Sequence, residues 1–279
     1  MKHREERFVS VGGRDLYYQV WEPDAPMRAL ILLAHGLGEH GGRYAELAQV
    51  VTAKGYVLAA IDHYGHGRSG GEMGDIERFV FFLDDFGDFS RRLREAYVGV
   101  PVVVIGHSMG GLIAARYLVQ HQNEFVAAVL SGPAVELEPE PGVLQRALIG
   151  LLATIAPRLG LRTIDPVHVS RDPEVVRRYA EDPLVYHGPV RARQLREFLK
   201  AMAVLREEMH TIRLPLLVLH GEADALTAPA GSRLLHERAQ SDDKRLQLYP
   251  ALYHEIFNEP EREQVFEDML SWCEIRLPR

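Results

Sequence analysis

The fold is decided by the stretch VVVIGHSMGGLIAARYL at residues 102–118. Its first four residues form a short, continuous apolar run, Gly106-His107-Ser108-Met109-Gly110-Gly111 follows, and a helical pattern begins at Leu112. Alone, Gly-x-Ser-x-Gly is weak evidence, because average glycine and serine usage produces it by chance in about one chain in ten of this length. Between a buried strand and a helix it is typical of a nucleophile elbow, in which the serine takes a strained backbone conformation. We therefore predict that Ser108 is a nucleophile.

Outside this stretch, strand-like and helix-like segments alternate along the chain. Short apolar runs predict buried parallel strands at residues 29–34, 101–105 and 214–219, and further strands at residues 56–61 and 125–130. Helical periodicity is found at residues 44–54, 79–97 and 111–122. This alternation predicts an α/β fold with a mostly parallel central sheet, helices on both faces, and functional loops at the carboxyl ends of the strands. Runs at residues 8–11 and 15–21, joined by Gly12-Gly13, predict an antiparallel hairpin at the sheet edge.

The alternation stops after Ser131-Gly132-Pro133 and resumes at the strand near residue 214. We therefore predict one core domain formed by residues 1–133 and 208–279, with a helical cap, or lid, inserted at residues 134–207. The first part of the cap, residues 143–161, is unusually apolar. It is interpreted either as a helix packed on the domain or as a lid that lines a lipid entrance and touches a membrane. On the second interpretation, its apolar residues meet the substrate.

A serine hydroxyl becomes a nucleophile when a base takes its proton and an acid orients that base. Two loops after predicted strands supply candidates: Asp224 in His220-Gly221-Glu222-Ala223-Asp224, and His254 after the strand at residues 246–249. The chain order Ser108, Asp224, His254 is that of the α/β-hydrolases. Glu222 is the one serious rival to Asp224. We predict a catalytic triad of Ser108, Asp224 and His254.

The negative oxygen that develops during acyl transfer needs two preorganised backbone N–H donors. Met109, directly after the nucleophile, supplies one of them. The second is expected from Leu37, in the glycine-rich loop HGLGEHGGRY at residues 35–44. We predict that Leu37 and Met109 form an oxyanion hole.

Four histidines near one edge of the predicted sheet raise the alternative of a metal site: His35, His40, His63 and His66. A dinuclear metal hydrolase would need histidines and carboxylates in a tight cluster such as His-x-His-x-Asp-His, which the sequence lacks. We therefore expect no metal and no cofactor. The four histidines are interpreted as hydrogen-bonded structural residues of tight turns.

Composition narrows the class of protein. The 279 residues are 47% hydrophobic and 25% charged, which is average for a globular protein. A formal net charge of −7 provides no basic surface for nucleic acid, so nucleic acid is not an expected partner.

The N-terminus is charged where a signal peptide would be apolar, and we expect a cytoplasmic protein. The single cysteine, Cys273, cannot form an internal disulfide and is expected to pack in the core.

Together the motifs resemble the monoacylglycerol lipase family of α/β-hydrolases. The resemblance rests on the loop at residues 35–44, DHYGHGRS at residues 62–69, GHSMGG at residues 106–111 and DPLV at residues 182–185. The segment YHEIFNE at residues 253–259 is especially similar to actinobacterial members. The likeness extends from about residue 7 to residue 277.

This resemblance implies a cofactor-free hydrolase that cleaves a monoester of glycerol through an acyl-enzyme, with a lid that guides the acyl chain. By matching positions, Leu37 and Met109 form the oxyanion hole. Glu39, Arg43 and Tyr179 lie near the glycerol end of the pocket. The implied partner is a monoacylglycerol or a similar lipid ester, and transient membrane contact through the lid goes with it.

Other functions are compatible with the same residues. A lysophospholipase or general carboxylesterase would use the same triad, although Arg43 alone does not establish a site for a phosphodiester head group. A proline-type aminopeptidase would need acidic residues for the substrate amine. A non-catalytic binding protein of this fold is disfavoured because the triad is complete. The sequence leaves acyl-chain length and oligomeric state open, a homodimer included.

Overall fold

The computed structural model describes residues 1–137 and 139–278. Residue 138, in the predicted cap, and residue 279, in the predicted core, lie outside the described residues. The described part contains ten strands: β1 (Lys2–Val9), β2 (Asp15–Glu22), β3 (Ala29–Ala34), β4 (Tyr56–Asp62), β5 (Val102–His107), β6 (Ala127–Ser131), β7 (Gly160–Arg162), β8 (Val190–Arg191), β9 (Leu216–Gly221) and β10 (Lys244–Tyr249). β7 and β8 form a separate small ribbon. The other eight strands form the central sheet.

The central sheet has the strand order β1-β2-β4-β3-β5-β6-β9-β10. β2 pairs antiparallel with both β1 and β4, and every other neighbouring pair is parallel. The predicted mostly parallel sheet with an antiparallel hairpin at its edge is confirmed. The first strand begins at Lys2, earlier than predicted, because an edge strand tolerates charged side chains that a central strand would not.

Helices cover both faces of the sheet: α1 (Ala45–Ala53), α2 (Val80–Ala96), α3 (Met109–His121), α4 (Val143–Ile155), α5 (Pro173–Glu181), α6 (Ala192–Glu208), α7 (Pro229–Arg238) and α8 (Arg262–Glu274). Successive residues of a strand point to opposite faces, so Leu30 and Leu32 of β3 join one hydrophobic core and Ile31 and Leu33 join the other. α2, α3, α6 and α7 contribute to the first core, and α1 and α8 to the second. Both layers are those expected of an α/β sheet.

The parallel strands carry the predicted site residues to one edge of the sheet. Leu37 follows β3, Ser108 follows β5, Asp224 follows β9 and His254 follows β10. Since the carboxyl ends of neighbouring parallel strands lie at the same edge, residues far apart in sequence meet there.

The segment between β6 and β9 contains α4, α5, α6 and the β7/β8 ribbon. α4 packs on α6, and α6 packs on α3 of the sheet layer. Because α6 also contributes to the first core, it joins this segment to the rest of the chain. The limits of the cap at residues 134–207 stay a prediction.

The apolar run at residues 143–161 does not lie where the lid interpretation expects it, along the cavity. Only Ile149 and Ala153 of α4 are buried, whereas Leu144 is 86% and Ile155 68% exposed. The described lining of the cavity at Ser108 includes no residue of this run, so the structure does not support the expectation that it meets the substrate. The physical reason is that α6 lies between, and its own side chains line the cavity. Within the described residues, no helix is long and apolar enough to cross a membrane.

Candidate active site

Ser108 occupies a sharp turn between β5 and α3, with φ 53° and ψ −116°. Among the described residues it is the one non-glycine residue with positive φ. Such a conformation costs on the order of 1 kcal/mol or more and persists only where the surroundings enforce it. Two glycines permit the turn: a Cβ on Gly106 would lie 2.5 Å from the Gly110 carbonyl oxygen, and one on Gly110 would clash with the Ala34 carbonyl. This geometry supports the predicted nucleophile elbow.

His254 and Asp224 form a buried pair on the loops after β10 and β9. The Nδ1 atom of His254 lies 2.6 Å from Oδ2 of Asp224, and their side chains are 6% and 0% exposed. Ser108 and His254 line the same cavity. The rival acid Glu222 forms an ion pair with Arg233 at 2.7 Å instead. The structure therefore places Asp224, and not Glu222, beside His254.

Hydrogen bonds from its own loop and from the end of β9 hold the Asp224 carboxylate. Oδ1 accepts from the backbone N–H groups of Leu226 at 2.7 Å and Thr227 at 3.1 Å. Oδ2 accepts from the Thr227 hydroxyl at 2.9 Å and from Nε2 of His220 at 3.1 Å. Burial favours the neutral acid, but the charge of His254 and the hydrogen bonds from both histidines outweigh it and hold the pKa of Asp224 below its usual range. Asp224 is therefore ionised at neutral pH.

Negative charges around His254 favour its protonated form. Burial alone would lower the pKa of this imidazole, but the charge and hydrogen bond of Asp224, together with the charges of Glu255 and Glu39, raise it above its ordinary value. A base in this environment stabilises the imidazolium that forms when it takes a proton. The electrostatics thus fit a general base acting on a serine.

Leu37 and Met109, the predicted oxyanion-hole residues, both line the cavity. A Cβ on Gly36 would lie 3.3 Å from the Cβ of Ser108, so this loop passes directly beside the nucleophile. The Gly36 N–H donates to Oε1 of Glu39 at 2.6 Å, which fixes the backbone just before Leu37. Within the described residues, neither the Leu37 nor the Met109 N–H donates to a protein acceptor. Both donors can therefore bind a developing oxyanion.

The cavity in front of Ser108 encloses about 850 Å³ of empty space, its opening included. Its apolar walls come from α3, α6 and neighbouring segments: Leu112, Ala134, Leu137, Ile164, Val190, Leu195, Phe198 and Met202. Its polar and aromatic lining comprises Glu39, His107, Arg162, Tyr179, Thr227 and Glu255. Five of these residues also belong to the first hydrophobic core: Leu112, Ala134, Leu137, Phe198 and Met202. Such a cavity fits a molecule with an apolar chain and a polar head.

The three residues predicted at the glycerol end lie together. Arg43 donates to Oε2 of Glu39 at 2.8 Å, and its guanidinium carbon lies 4.7 Å from the centre of the Tyr179 ring. Glu39 and Tyr179 line the cavity, whereas Arg43 is not among its lining residues. The structure thus brings all three side chains into contact at one place.

Three further residues of the site were not predicted from the sequence: His220, Thr227 and Glu255. His220 and Thr227 bind the Asp224 carboxylate, and Glu255 binds Arg43. Each lies within four residues of Asp224 or His254 in the chain. Polar residues so close to predicted catalytic residues are a signal, but sequence spacing alone does not reveal which of them point inward.

The four histidines near the sheet edge do not form one cluster. The ring centres of His35 and His63 are 4.4 Å apart and those of His35 and His66 are 5.4 Å apart, whereas His40 bonds to Asp182 at 3.0 Å. His35 and His66 are hydrogen-bonded to backbone oxygens, but the two ring nitrogens of His63 have no hydrogen-bond partner in the described part of the chain. The expectation that all four are hydrogen-bonded is therefore wrong for His63. The described residues contain no group of three or more His, Cys, Asp or Glu suited to hold a metal ion.

Comparisons with known proteins identify the family of this chain. A family model described as "Serine aminopeptidase, S33" matches residues 25–261. A monoacylglycerol lipase of Mycolicibacterium smegmatis is 41% identical over 268 residues, which are 96% of each chain. The crystal structure of Paleococcus ferrophilus monoacylglycerol lipase has a TM-score of 0.82 at 31% identity and covers 99% of this chain and 100% of that chain. A soluble variant of the Saccharomyces cerevisiae monoglyceride lipase, bound to a substrate analog, has a TM-score of 0.86 at 27% identity, with 100% and 95% covered. The chain belongs to the monoacylglycerol lipase family of α/β-hydrolases.

Proposed function

We propose that this protein hydrolyses monoacylglycerols to glycerol and free fatty acid through an acyl-enzyme. The proposed triad is Ser108, His254 and Asp224. The observation that carries the proposal is the geometry at Ser108, where a strained serine and the histidine of a buried histidine–aspartate pair line one cavity with an apolar wall. The monoacylglycerol lipases among the relatives support the same substrate class.

The reaction proceeds in two halves. His254 takes the proton of Ser108 while Oγ attacks the ester carbonyl, and the N–H groups of Leu37 and Met109 stabilise the oxyanion. The C–O bond to glycerol then breaks, and the imidazolium of His254 gives its proton to the departing oxygen. A water molecule, deprotonated by His254, attacks the acyl-enzyme, and the fatty acid leaves as Ser108 recovers its proton. Asp224 orients the imidazole throughout, and the chemistry needs no metal or cofactor.

Both ends of a monoacylglycerol find suitable partners in the cavity. The acyl chain would lie along the apolar lining, which includes Leu112, Phe198 and Met202. The glycerol hydroxyls would donate to the carboxylates of Glu39 and Glu255, because carboxylates only accept hydrogen bonds. The ester bond then falls between the two ends, beside Ser108.

The proposal is tested by kcat/KM for a 1-monoacylglycerol, with an aminoacyl p-nitroanilide as the amide comparison. Ser108→Ala should lower kcat on the ester by about 10³-fold or more while thermal unfolding stays unchanged, because the triad acts as a unit. A fluorophosphonate probe should label the wild-type protein and not the variant. Unchanged esterase activity in Ser108→Ala would contradict the mechanism, and a preference for the anilide would support the aminopeptidase alternative.

The cap and its exposed helix form the second part of the proposal. Residues 134–207 act as a cap on a core of residues 1–133 and 208–279, and α4 contacts lipid surfaces transiently through its outer face. That face carries exposed apolar side chains where a surface helix is normally polar: Val143, Leu144, Leu148, Leu151 and Ile155. Lipid is the chosen partner because the substrate itself resides in lipid aggregates.

Vesicle binding tests this contact directly. Leu144→Ser with Leu148→Ser should reduce cosedimentation with phosphatidylcholine vesicles containing monoacylglycerol, while hydrolysis of a short, soluble ester stays unchanged. Val98→Ser, which removes an equally exposed apolar side chain outside the cap, is the control. If the double variant instead converts a dimer to a monomer and leaves vesicle binding unchanged, the face is a homodimer interface.

A further inference from the structure

Arg43 is clamped between two buried carboxylates. Its Nη1 lies 2.8 Å from Oε2 of Glu39 and 2.6 Å from Oε1 of Glu255, and its Nη2 lies 2.7 Å from Oε2 of Glu255. The side chains of Arg43, Glu39 and Glu255 are 10%, 4% and 5% exposed. Two negative charges against one positive charge leave this cluster of three residues net negative.

The carboxylates of Glu39 and Glu255 line the cavity, whereas the guanidinium of Arg43 does not. The Tyr179 ring lies 4.7 Å from the guanidinium carbon. Both Arg43 nitrogens that face the carboxylates are engaged by them. An incoming ligand therefore encounters hydrogen-bond acceptors at this end.

Glu255 is ionised in this arrangement. Burial alone would raise the pKa of its carboxyl, but the charge and hydrogen bonds of Arg43 and a hydrogen bond from Asn258 lower that pKa below its usual range. The Asn258 Nδ2 donates to Oε2 of Glu255 at 2.8 Å. The negative charge of Glu255 is thus fixed in position at neutral pH.

The two carboxylates differ in what else they hold. Glu39 also accepts from the Gly36 N–H at 2.6 Å and from the Tyr44 hydroxyl at 2.7 Å, so it anchors the predicted oxyanion loop. Glu255 makes its side-chain bonds to Asn258 and to Arg43, at the far end of the loop, and none of these bonds involves Gly36 or Leu37. Glu255 can therefore be neutralised while Glu39 still holds the Gly36 N–H beside Ser108.

We infer that Glu255 makes this site selective for neutral, hydroxyl-bearing head groups and that it rejects anionic ones, a phosphate ester above all. The inference rests on the proposed monoacylglycerol hydrolysis and deepens it. A hydroxyl of the head group donates a hydrogen bond to a carboxylate. A phosphate is negatively charged and offers mainly hydrogen-bond acceptors, so the carboxylates repel it and give it no donor. Glu255 also binds the Nη2 atom of Arg43. This part of a guanidinium would otherwise be available to bind phosphate oxygens.

The test compares a 1-monoacylglycerol with its 3-phosphate, lysophosphatidic acid, at equal acyl chain and below micelle-forming concentrations. The p-nitrophenyl ester of the same fatty acid serves as a substrate without a polar head. Values of kcat/KM are measured for the wild-type protein, Glu255→Gln and Glu263→Gln. Glu263 is exposed on α8 and provides the same change in net charge away from the cavity.

The wild-type protein should prefer the neutral ester on the order of 100-fold, because the phosphate would lie a few ångströms from a like charge. Glu255→Gln should reduce this preference by about 10-fold or more, chiefly through faster hydrolysis of the phosphate-bearing ester. Glu263→Gln should leave it unchanged. Should Glu255→Gln fail to fold, Glu255→Ser supplies a second neutral variant with the same expected effect.

Equal kcat/KM of the wild-type protein for both esters overturns the inference. So does a Glu255 variant that loses activity on both esters in the same proportion, because that result assigns the residue a purely structural role. Hydrolysis of the p-nitrophenyl ester without hydrolysis of monoacylglycerol would instead defeat the proposed function. In that case the ratio of kcat/KM for the phosphate-bearing ester to kcat/KM for the p-nitrophenyl ester still reports whether Glu255 repels the anion.

Discussion

The Nε2 atom of His220 lies 3.1 Å from Oδ2 of Asp224, the same oxygen that lies 2.6 Å from Nδ1 of His254. An ionised carboxylate only accepts, so both ring nitrogens must donate to it. The Ser232 hydroxyl lies 2.6 Å from Nδ1 of His220 and fixes the tautomer that this requires. His220 is completely buried and does not line the cavity, so it acts through Asp224 as a positioning residue.

Replacing His220 with leucine should destabilise the protein by about 1–3 kcal/mol, because a buried carboxylate loses a donor. It should also lower kcat about 10-fold, since His254 then loses the rigid anchor that aligns it. Urea denaturation and hydrolysis of a p-nitrophenyl ester measure the two effects. His210→Leu, at an exposed histidine that is not among the cavity-lining residues, is the control and should change neither stability nor kcat appreciably. An unchanged kcat in His220→Leu would mean that Asp224 needs no second partner.

Activity should fall as the pH decreases, because only the neutral imidazole of His254 can take the serine proton. Burial opposes the protonated form, but Asp224, Glu255 and Glu39 raise the pKa of His254, so the acid limb of kcat/KM should lie above 6.5. Glu255→Gln removes one of these charges and should move the limb to lower pH. Glu263→Gln should leave the limb in place, and an unmoved limb in Glu255→Gln would contradict the electrostatic role of Glu255.

The sheet and the close placement of the proposed triad residues could be predicted because their signals are local. The apolar run before Ser108 and the glycines around it identify an elbow from neighbouring residues alone. Glu255 could not be found in this way, since its partner Arg43 is 212 residues away in the chain and only the folded sheet brings them together. Whether a loop carboxylate faces an arginine or water is decided by tertiary structure.

The apolar helix α4 is a second feature whose packing could not be predicted from the sequence. Its composition predicts a helix, and a helix forms at Val143–Ile155. Composition does not reveal which face finds a partner, and only Ile149 and Ala153 pack against the rest of the chain closely enough to be buried. Part of the apolar cavity wall comes instead from α6, whose sequence is far less apolar than that of α4.

Buried His63 should make the protein sensitive to acid. Burial and the neighbouring His66 lower the pKa of His63 well below its ordinary value, so it is neutral in the folded chain. The unfolded chain binds this proton below about pH 6.5, and the unfolded state is favoured progressively as the pH falls through that value. The free energy of unfolding should therefore decrease between pH 7 and pH 5, as measured by urea denaturation.

His63→Leu should reduce this decrease by about 2 kcal/mol, because it removes one group that protonates only on unfolding. Stability at pH 7 should be equal or higher, since both ring nitrogens of His63 lack a hydrogen-bond partner within the described residues. The exposed His168 is the control, and His168→Leu should leave the pH dependence unchanged. A pH dependence as steep in His63→Leu as in the wild type would assign the acid sensitivity to other groups.

Asp75 links the core to the predicted cap through two arginines. Its Oδ2 lies 2.6 Å from Nη2 of Arg193 and 3.2 Å from Nη1 of Arg191, and Arg191 is also 2.7 Å from Oε1 of Glu72. The Asp75 side chain is 7% exposed, so water screens its charge poorly. These ion pairs hold the start of α6, the helix that lines the cavity, against the loop before α2.

Asp75→Asn should destabilise the protein by about 2–4 kcal/mol, because it leaves two partly buried arginines without their shared carboxylate. Glu274→Gln breaks an exposed ion pair with Arg28 and should cost less than about 1 kcal/mol. Urea denaturation compares the two variants, and limited trypsin digestion should cut faster within residues 134–207 in Asp75→Asn alone. If both variants lose the same stability and are cut at the same rate, the Asp75 cluster holds the cap no more firmly than a surface ion pair would. A larger loss confined to Asp75→Asn, with faster cleavage of the cap, would show that opening of the cap works against these ion pairs.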